Sequence, residues 1–289
     1  MSLKGKTLFM SGGSRGIGLA IAQRLAAEGA NVAIAAKTAE PHPKLPGTVF
    51  TAAEEINSAG SGRALGLVCD IRDEPQVDSA IDATVKEFGG IDICINNASA
   101  ISLTGTLDTS MKRYDLMNDV NTRGAYMVSQ KVLPHLLKSD HAHILNLSPP
   151  LDMNPKWFKN HVAYTIAKYG MSLCVLGMAE EFRSQGIGVN ALWPITAIDT
   201  AAVRNVIGDN KMALMCRKPS IMADAAFAIL SRDPGTCTGN FYIDEEVLKA
   251  EGVSDFSIYQ HEGATKLMAD FFVPDEVFEA SDTPVVHGL

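Results

Sequence analysis

A short apolar run at residues 7–10 leads directly into Ser11-Gly12-Gly13-Ser14-Arg15-Gly16-Ile17-Gly18. A helical apolar pattern through Leu19, Ile21, Ala22 and Leu25 follows, Gly29 stops it, and a second apolar run covers 32–36. Strand, turn, helix and strand in this order predict a βαβ unit, whose crossover makes the two strands parallel. Glycines in its first turn let backbone N–H groups approach a pyrophosphate at the helix N-terminus. The same glycines would also serve a tight turn that only packs helix on strand, so the turn needs support from the rest of the chain.

The alternation continues to residue 243. Apolar runs at 64–69, 91–95, 143–147, 188–193 and 240–243 read as strands. Helical patterns cover 49–59, 74–88, 161–182 and 221–230, and a longer, kinked one covers 109–137. Together they predict an α/β fold: a Rossmann-type doubly wound parallel sheet of about seven strands, with helices on both faces. No composition shift divides the 289 residues, so one domain over 1–289 is expected, with a core at about 3–243 and an extension at 244–289. Pro41, Pro43 and Pro46 make 37–48 a loop, and 195–218 reads as irregular or helical and apolar in places. In the acidic tail, Asp244 is expected to cap a helix at 245–250, and the last residues are expected to be loose.

Charge and cysteine usage narrow the partners. The net charge of −8 argues against nucleic acid or an anionic membrane as the main partner. No run is read as spanning a membrane, and the N-terminal apolar run is too short for a signal peptide. Cys69, Cys94, Cys174, Cys216 and Cys237 are odd in number and lack C-x-x-C, as expected for buried thiols in a reducing, cytoplasmic setting. The histidines show no metal-ligand spacing, so no metal site is expected.

Tyr164 and Lys168 lie four residues apart in the 161–182 helix, which stacks them on one face. A free tyrosine titrates near pH ~10 and exchanges protons poorly at neutrality. An ammonium beside it favours the phenolate, which makes the pair a candidate general acid/base. Ser148 follows the 143–147 strand, at the sheet end where open α/β folds meet their ligands.

Taken in order, the glycine-rich turn, Asn96-Asn97-Ala98-Ser99, Asn121, Ser148 and Tyr164-x-x-x-Lys168 resemble the short-chain dehydrogenase/reductase family over about residues 3–243. The stretches 147–150, 121–124 and 36–43 resemble its hydroxysteroid dehydrogenase-like branch, whose animal members carry a C-terminal sterol-carrier domain. The residues after 243 are too few for such a domain. The resemblance implies that Tyr164 is the acid/base and that Lys168 lowers its pKa and grips the nicotinamide ribose. It implies that Ser148 hydrogen-bonds the substrate oxygen and that Asn121 holds a water linking Lys168 to solvent. Ser11, Gly12, Ser14, Arg15, Gly16, Ile17 and Gly18 would form the phosphate-binding turn. Asp70 would meet the adenine edge, Asn97 would lie along the cofactor, and Pro194 and Thr196 would border the nicotinamide. Ile195 stands where the family usually has glycine, and Pro155, Trp157 and Phe158 lengthen the segment before Tyr164. Structural alternatives stay open: Asn121 could tie a kinked helix to a strand, Ser148 could cap a strand end, and Asp70 could cap a helix.

The cofactor's identity can be read at the end of the second strand. NAD-binding sites place a carboxylate there, whereas this chain has Ala35-Ala36-Lys37, no acid before Glu40, and Arg15 in the turn. Two cations suit a 2′-phosphate, so NADP(H) is expected over NAD(H). Ile101, Leu103, Leu151, Met153, Trp157, Phe158, Val203, Ile207, Met212, Leu214 and Met215 should wall an apolar pocket for a fatty, terpenoid or steroid-like carbonyl or alcohol, or else pack a lid against a subunit or the tail. Arg123, Lys156, Lys159, Arg204 and Lys211 should mostly face water. The family implies a homo-oligomer, a tetramer or dimer, with Met171 and Met178 at an interface or in the core. Two function classes remain: a turnover enzyme, or an NADP(H)-binding sensor or scaffold without turnover.

Overall fold

In the computed structural model of the chain, residues 1–41, 47–201, 203–204 and 210–287 are described, without the side chains of 210–212. Seven strands, β1 (Thr7–Ser11), β2 (Asn31–Ala36), β3 (Arg63–Val68), β4 (Ile93–Asn96), β5 (His143–Asn146), β6 (Gly188–Trp193) and β7 (Phe241–Ile243), form one sheet in the order β3-β2-β1-β4-β5-β6-β7. Every neighbouring pair in it is parallel. The order reverses between β1 and β4, and an open sheet leaves a ligand crevice at such a reversal, beyond the strand ends.

Helices α1 (Gly16–Ala27), α2 (Val49–Ala59), α7 (Ser220–Leu230) and α8 (Asp244–Ala250) bury Ile21, Leu25, Ile56, Ile221 and Leu248 on one face of the sheet. On the other face α3 (Glu74–Phe88), α5 (Ala125–Leu136) and α6 (Val162–Glu181) bury Val77, Val128, Val132 and Val175. Helix α4 (Met111–Met117) runs into α5 through a π-helical turn at Asn118–Gly124, which is the kink expected from the sequence. Such turns often mark functional positions. Thr122 in the turn donates to the Ala167 carbonyl of α6, and Gly170 makes room for it: a Cβ there would sit 2.2 Å from Thr122 Oγ1.

Contrary to the sequence expectation, α6 is long and apolar enough to cross a membrane by length and composition. Its burial shows a core helix instead: Tyr164, Lys168, Met171, Val175 and Met178 face inward. Met171 and Met178 are therefore core, and the exposed apolar residues are Ile166, Leu173 and Leu176.

The tail departs most from expectation. Asp244 begins α8 rather than preceding it, and its Oδ1 accepts from the Glu245 and Ile195 backbones. Beyond it, β8 (Leu267–Met268) pairs in parallel with β9 (Val285–Val286), and α9 (Asp275–Glu279) lies between. The described end of the chain is therefore ordered, and backbone hydrogen bonds tie it to the segment after β6. Ala197 N donates to Met268 O (2.9 Å), Asp270 N to Ile195 O (3.1 Å), and the Trp193 indole to Phe271 O (2.7 Å). A buried ion pair, Arg217 to Glu245 at 2.7 Å, is completed by Thr283 and Ser281 and anchors the tail on α8. Phe272 is fully buried between the rings of Tyr164, Tyr169, Trp157 and Trp193.

Candidate active site

Two adjoining spaces open at the sheet reversal. The outer cleft, about 560 Å³, is bordered by Gly12, Ser14, Arg15, Gly16, Ile17, Gly18, Lys37, Asp70 and Asn97. The inner cavity, about 210 Å³, is lined by Tyr164, Lys168, Trp193, Pro194, Asp270 and apolar side chains. Ile17, Asn97, Ser99, Ile101 and Thr200 border both. A long ligand in the cleft would thus present one end to the cavity.

The cleft fits a dinucleotide. Gly12 has φ +76°, and a Cβ on it would sit 2.7 Å from Ala98 Cα, so only glycine lets the turn close against the end of β4. Asn97 then bridges the two elements, its Nδ2 donating to Gly12 O at 2.8 Å. Arg15 donates to the Gly47 carbonyl, and its buried Nε has no partner among the described residues. An unpaired guanidinium edge next to a glycine turn is suited to an anion. Lys37 borders the same cleft and is exposed. Asp70 is held by Arg72 at 2.5 Å, and that contact pulls its carboxyl below the usual range. The helix cap of α3 is Asp73, not Asp70. Ser11 does not border the cleft: its Oγ accepts from the Asn97 and Ala98 amides, locking the end of β1 to that of β4.

Around the inner cavity, α6 is clamped to the loop after β5. Lys168 Nζ donates to Leu147 O (2.7 Å), Ser172 Oγ to Pro149 O (2.6 Å), and Asn146 Nδ2 to Met171 O (3.1 Å). Ser148 sits between the two clamped carbonyls. It is fully buried, and its Oγ has no partner among the described residues. Thr196 Oγ1 is likewise buried and unpaired. An unmatched buried hydroxyl is costly unless something else satisfies it. Asn121 is fully buried and spans both polar groups of Ala100, with Oδ1 accepting at 2.8 Å and Nδ2 donating at 3.0 Å. Its side chain ties the π turn to the loop after β4, the structural role left open by the sequence. Neither Ser148 nor Asn121 lines the cavity.

The electrostatics correct the expected tuning of Tyr164. Burial first, and the Asp270 carboxylate second, push its phenol up rather than down. Lys168 does not offset this, because it faces Leu147 O and stands 4.9 Å from the centre of the Trp193 ring. Burial lowers Lys168 to about 7, with Asp270 opposing that shift. Burial raises Asp270 to about 7, with Asp244 adding to the shift and Lys168 opposing it. The cavity therefore holds a phenol, an amine and a carboxyl, the last two titrating near neutrality.

The expected pocket walls divide. Ile101, Leu103 and Val203 line the inner cavity. Leu151, Trp157 and Phe158 pack instead in the aromatic cluster behind Tyr164. Met215 packs beside Met268, Met153 and Leu214 are exposed, Ile207 lies outside the described residues, and the side chain of Met212 is not described. Arg123 bonds the Arg72 carbonyl, Lys156 pairs with Asp275, Arg204 pairs with Asp199, and Lys159 is exposed; the side chain of Lys211 is not described. Sequence reasoning missed Trp193, Met268, Asp270 and Phe271. The available signal was Asp270-Phe271-Phe272-Val273, an acid beside an apolar run inside an acidic tail.

Comparison with known proteins agrees with this geometry. A family model described as "Enoyl-(Acyl carrier protein) reductase" matches residues 12–244. The chain is 58% identical over 286 residues to hydroxysteroid dehydrogenase-like protein 2 of Danio rerio, covering 99% of this chain and 68% of that one. It is 58% identical over 278 residues to the Homo sapiens protein of that name, covering 96% of this chain and 65% of that one. The chain thus spans about two thirds of the length of these relatives. A crystal structure of a short-chain dehydrogenase from Mycobacterium thermoresistibile is 53% identical with a TM-score of 0.89, covering 94% of this chain and 96% of that one. A structure from Xanthomonas campestris is 54% identical with a TM-score of 0.92, covering 95% and 100%. With the glycine turn, the parallel sheet and the Tyr164–Lys168 face in place, the chain belongs to the short-chain dehydrogenase/reductase family and is an oxidoreductase of it.

Proposed function

We propose that this oxidoreductase moves a hydride between NADP(H) and the carbonyl or hydroxyl of a neutral hydrophobic molecule: fatty, terpenoid or steroid-like. The observation that carries the reading is the shared wall of the two spaces, which brings a dinucleotide-sized cleft up to an apolar cavity holding Tyr164 and Lys168. Arg15, Gly12, Gly16, Gly18, Lys37 and Asn97 would hold the cofactor, with Pro194 and Thr196 near its reactive end. NADP(H), when bound, supplies or takes up the hydride. Tyr164 gives its proton to the carbonyl oxygen in reduction and takes one from the hydroxyl in oxidation. Its raised pKa keeps it protonated, the form that reduction needs. The unpaired Ser148 hydroxyl lies one residue beyond Leu147 of the cavity wall and, once turned into the cavity, would donate a second hydrogen bond to the developing alkoxide. Lys168 keeps positive charge near the phenol below about neutrality, and Asn121 fixes the helix turn behind the site. The apolar walls exclude water, which strengthens each of these interactions.

The preference for NADP(H) is tested at Arg15. Charge-assisted hydrogen bonds contribute ~1.5–3 kcal/mol, so Arg15→Ala should weaken NADPH about 10- to 100-fold and NADH little. Fluorescence titration of both cofactors measures this; equal losses for the two would remove Arg15 from the 2′-phosphate site. The hydrophobic substrate is tested with n-alkyl aldehydes. Each added methylene should raise kcat/KM until the cavity is full, by at most ~0.8 kcal/mol per step. A flat series, or a preference for small polar ketones, would contradict the reading.

One observation favours the alternative of an NADP(H)-binding sensor or scaffold without turnover: Ser148 is fully enclosed. Absence of turnover across the whole series, with NADPH bound, would select it. The exposed apolar side chains Ile166, Leu173 and Leu176 on α6 and Tyr126 on α5 support a homo-oligomer, dimer or tetramer. The five cysteines form no disulfide among the described residues, which fits a reducing, cytoplasmic setting.

A further inference from the structure

The C-terminal segment carries an acid into the inner cavity. Asp270 lines it with Tyr164 and Lys168, and is the one acid among the described lining residues. Backbone contacts fix its place: its own N–H bonds Ile195 O, the preceding Ala269 pairs with Thr196, and the following Phe271 accepts the Trp193 indole. Two residues on, Phe272 has φ +66°, a left-handed conformation that is strained for a phenylalanine. Such strain persists where the surroundings over-determine it, and here a cluster of aromatic rings does so. One carboxyl oxygen of Asp270 accepts from Phe271 N at 2.7 Å. The other has no hydrogen-bond partner among the described residues, and the remaining cavity wall is largely apolar.

We propose that Asp270 is a specificity-determining residue, accepting a hydrogen bond from a hydroxyl or N–H on the substrate and barring a carboxylate from the cavity. The preferred class is then a neutral carbonyl or alcohol that carries a further donor, and oxo-acids are refused. This deepens the hydride-transfer reading and rests on it. In a dry cavity a like-charged pair is strongly unfavourable, and an unsatisfied acceptor selects ligands able to donate to it. Lys168, the cation in the cavity wall, gives one of its three donors to Leu147 O, and burial lowers it to about 7, so its charge fades over the range in which Asp270 gains its own.

The charge on Asp270 depends on pH. The groups facing it are Lys168 and Tyr164 from α6, Asp244 from the start of α8, and Cys216. With Asp270 near 7, it is neutral on the acid side and a carboxylate on the basic side. Refusal of carboxylates should therefore grow as pH rises through neutrality. Lys168 loses its charge over the same range and acts in the same direction, so the Asp270 contribution is the difference between the parent and a variant.

The test uses the whole chain with NADPH and two substrates of equal chain length, a long-chain hydroxy-ketone and an oxo-acid. The ratio of their kcat/KM values is measured below and above neutrality in the parent and in Asp270→Asn. The asparagine carbonyl keeps the bond to Phe271 N, and Asp270→Ser serves as the second variant should the first misfold. Melting temperature and NADPH affinity report folding. The parent should favour the hydroxy-ketone by ~10-fold or more above neutrality, and less below it. The variant should lose about tenfold of that ratio above neutrality and show a weaker pH dependence than the parent, the remainder being that of Lys168. A folded variant that keeps the parent ratio, or a parent that takes both substrates equally, overturns the proposal. If neither compound is turned over, the hydride-transfer reading fails; equilibrium binding of the same pair to the NADPH-loaded protein then decides the inference, with the same ratio expected.

Discussion

Replacing Tyr164 by Phe lowers turnover by ~10²–10⁴-fold, the usual contribution of one acid/base group, and leaves NADPH affinity essentially unchanged. The substitution keeps the ring that packs against Phe272 and His161 and removes only the hydroxyl. No described residue hydrogen-bonds that hydroxyl. Its loss leaves no stranded partner, and folding stability should hold or rise slightly. Steady-state kinetics together with a melting curve separate the two effects. A variant that keeps near-parental activity would remove Tyr164 from the chemistry. One that loses activity only in step with its melting temperature would make Tyr164 a packing residue.

The second large effect is expected at Phe272. It is fully buried, meets Tyr164, Tyr169, Trp157 and Trp193, and carries the strained positive φ. Truncating a buried phenylalanine to alanine costs ~3–5 kcal/mol in lost burial and cavity formation. Alanine would retain the strain, whereas glycine adopts this conformation freely. Phe272→Gly should therefore be at least as stable as Phe272→Ala, the reverse of the ordinary ranking. Denaturant midpoints of the two variants measure the difference. A glycine variant clearly less stable than the alanine variant would show that the strain is not felt. Both should also loosen Asp270 and Phe271, raising KM for cavity ligands more than Kd for the cofactor.

The sheet was legible because parallel strands are covered on both faces and read as unbroken apolar runs, as at Leu8-Phe9-Met10 and Ile93-Cys94-Ile95. The glycine turn was legible because close backbone approach admits only glycine at Gly12. Tyr164 and Lys168 were legible as a spacing, but their electrostatics were not. Whether Lys168 faces the phenol or the Leu147 carbonyl is set by where α6 docks against β5. Helix α6 is apolar nearly all round, so its methionines could not show which side was core; the structure turns Met171 inward and Leu173 outward. The tail was misread for a physical reason. Its order comes from contacts such as Trp193 to Phe271, 78 residues apart in sequence, which leave no periodic mark on the segment itself. Asp270 looked like one more solvated acid among many. The resemblance gave Ser11 a place in the phosphate turn and Asn121 a water, with a structural tie as the alternative for Asn121; in the structure both side chains bond neighbouring backbone.

The account rests on hydride transfer to a neutral hydrophobic carbonyl, and isotope transfer tests that directly. The protein is incubated with NADPH deuterated at its hydride-donating position and a long-chain aliphatic ketone or aldehyde, and the product is analysed by mass spectrometry. The account predicts an alcohol carrying one deuterium on the former carbonyl carbon, formed in step with cofactor oxidation and abolished in Tyr164→Phe. Bound cofactor with no labelled alcohol from any member of a neutral carbonyl panel would contradict it.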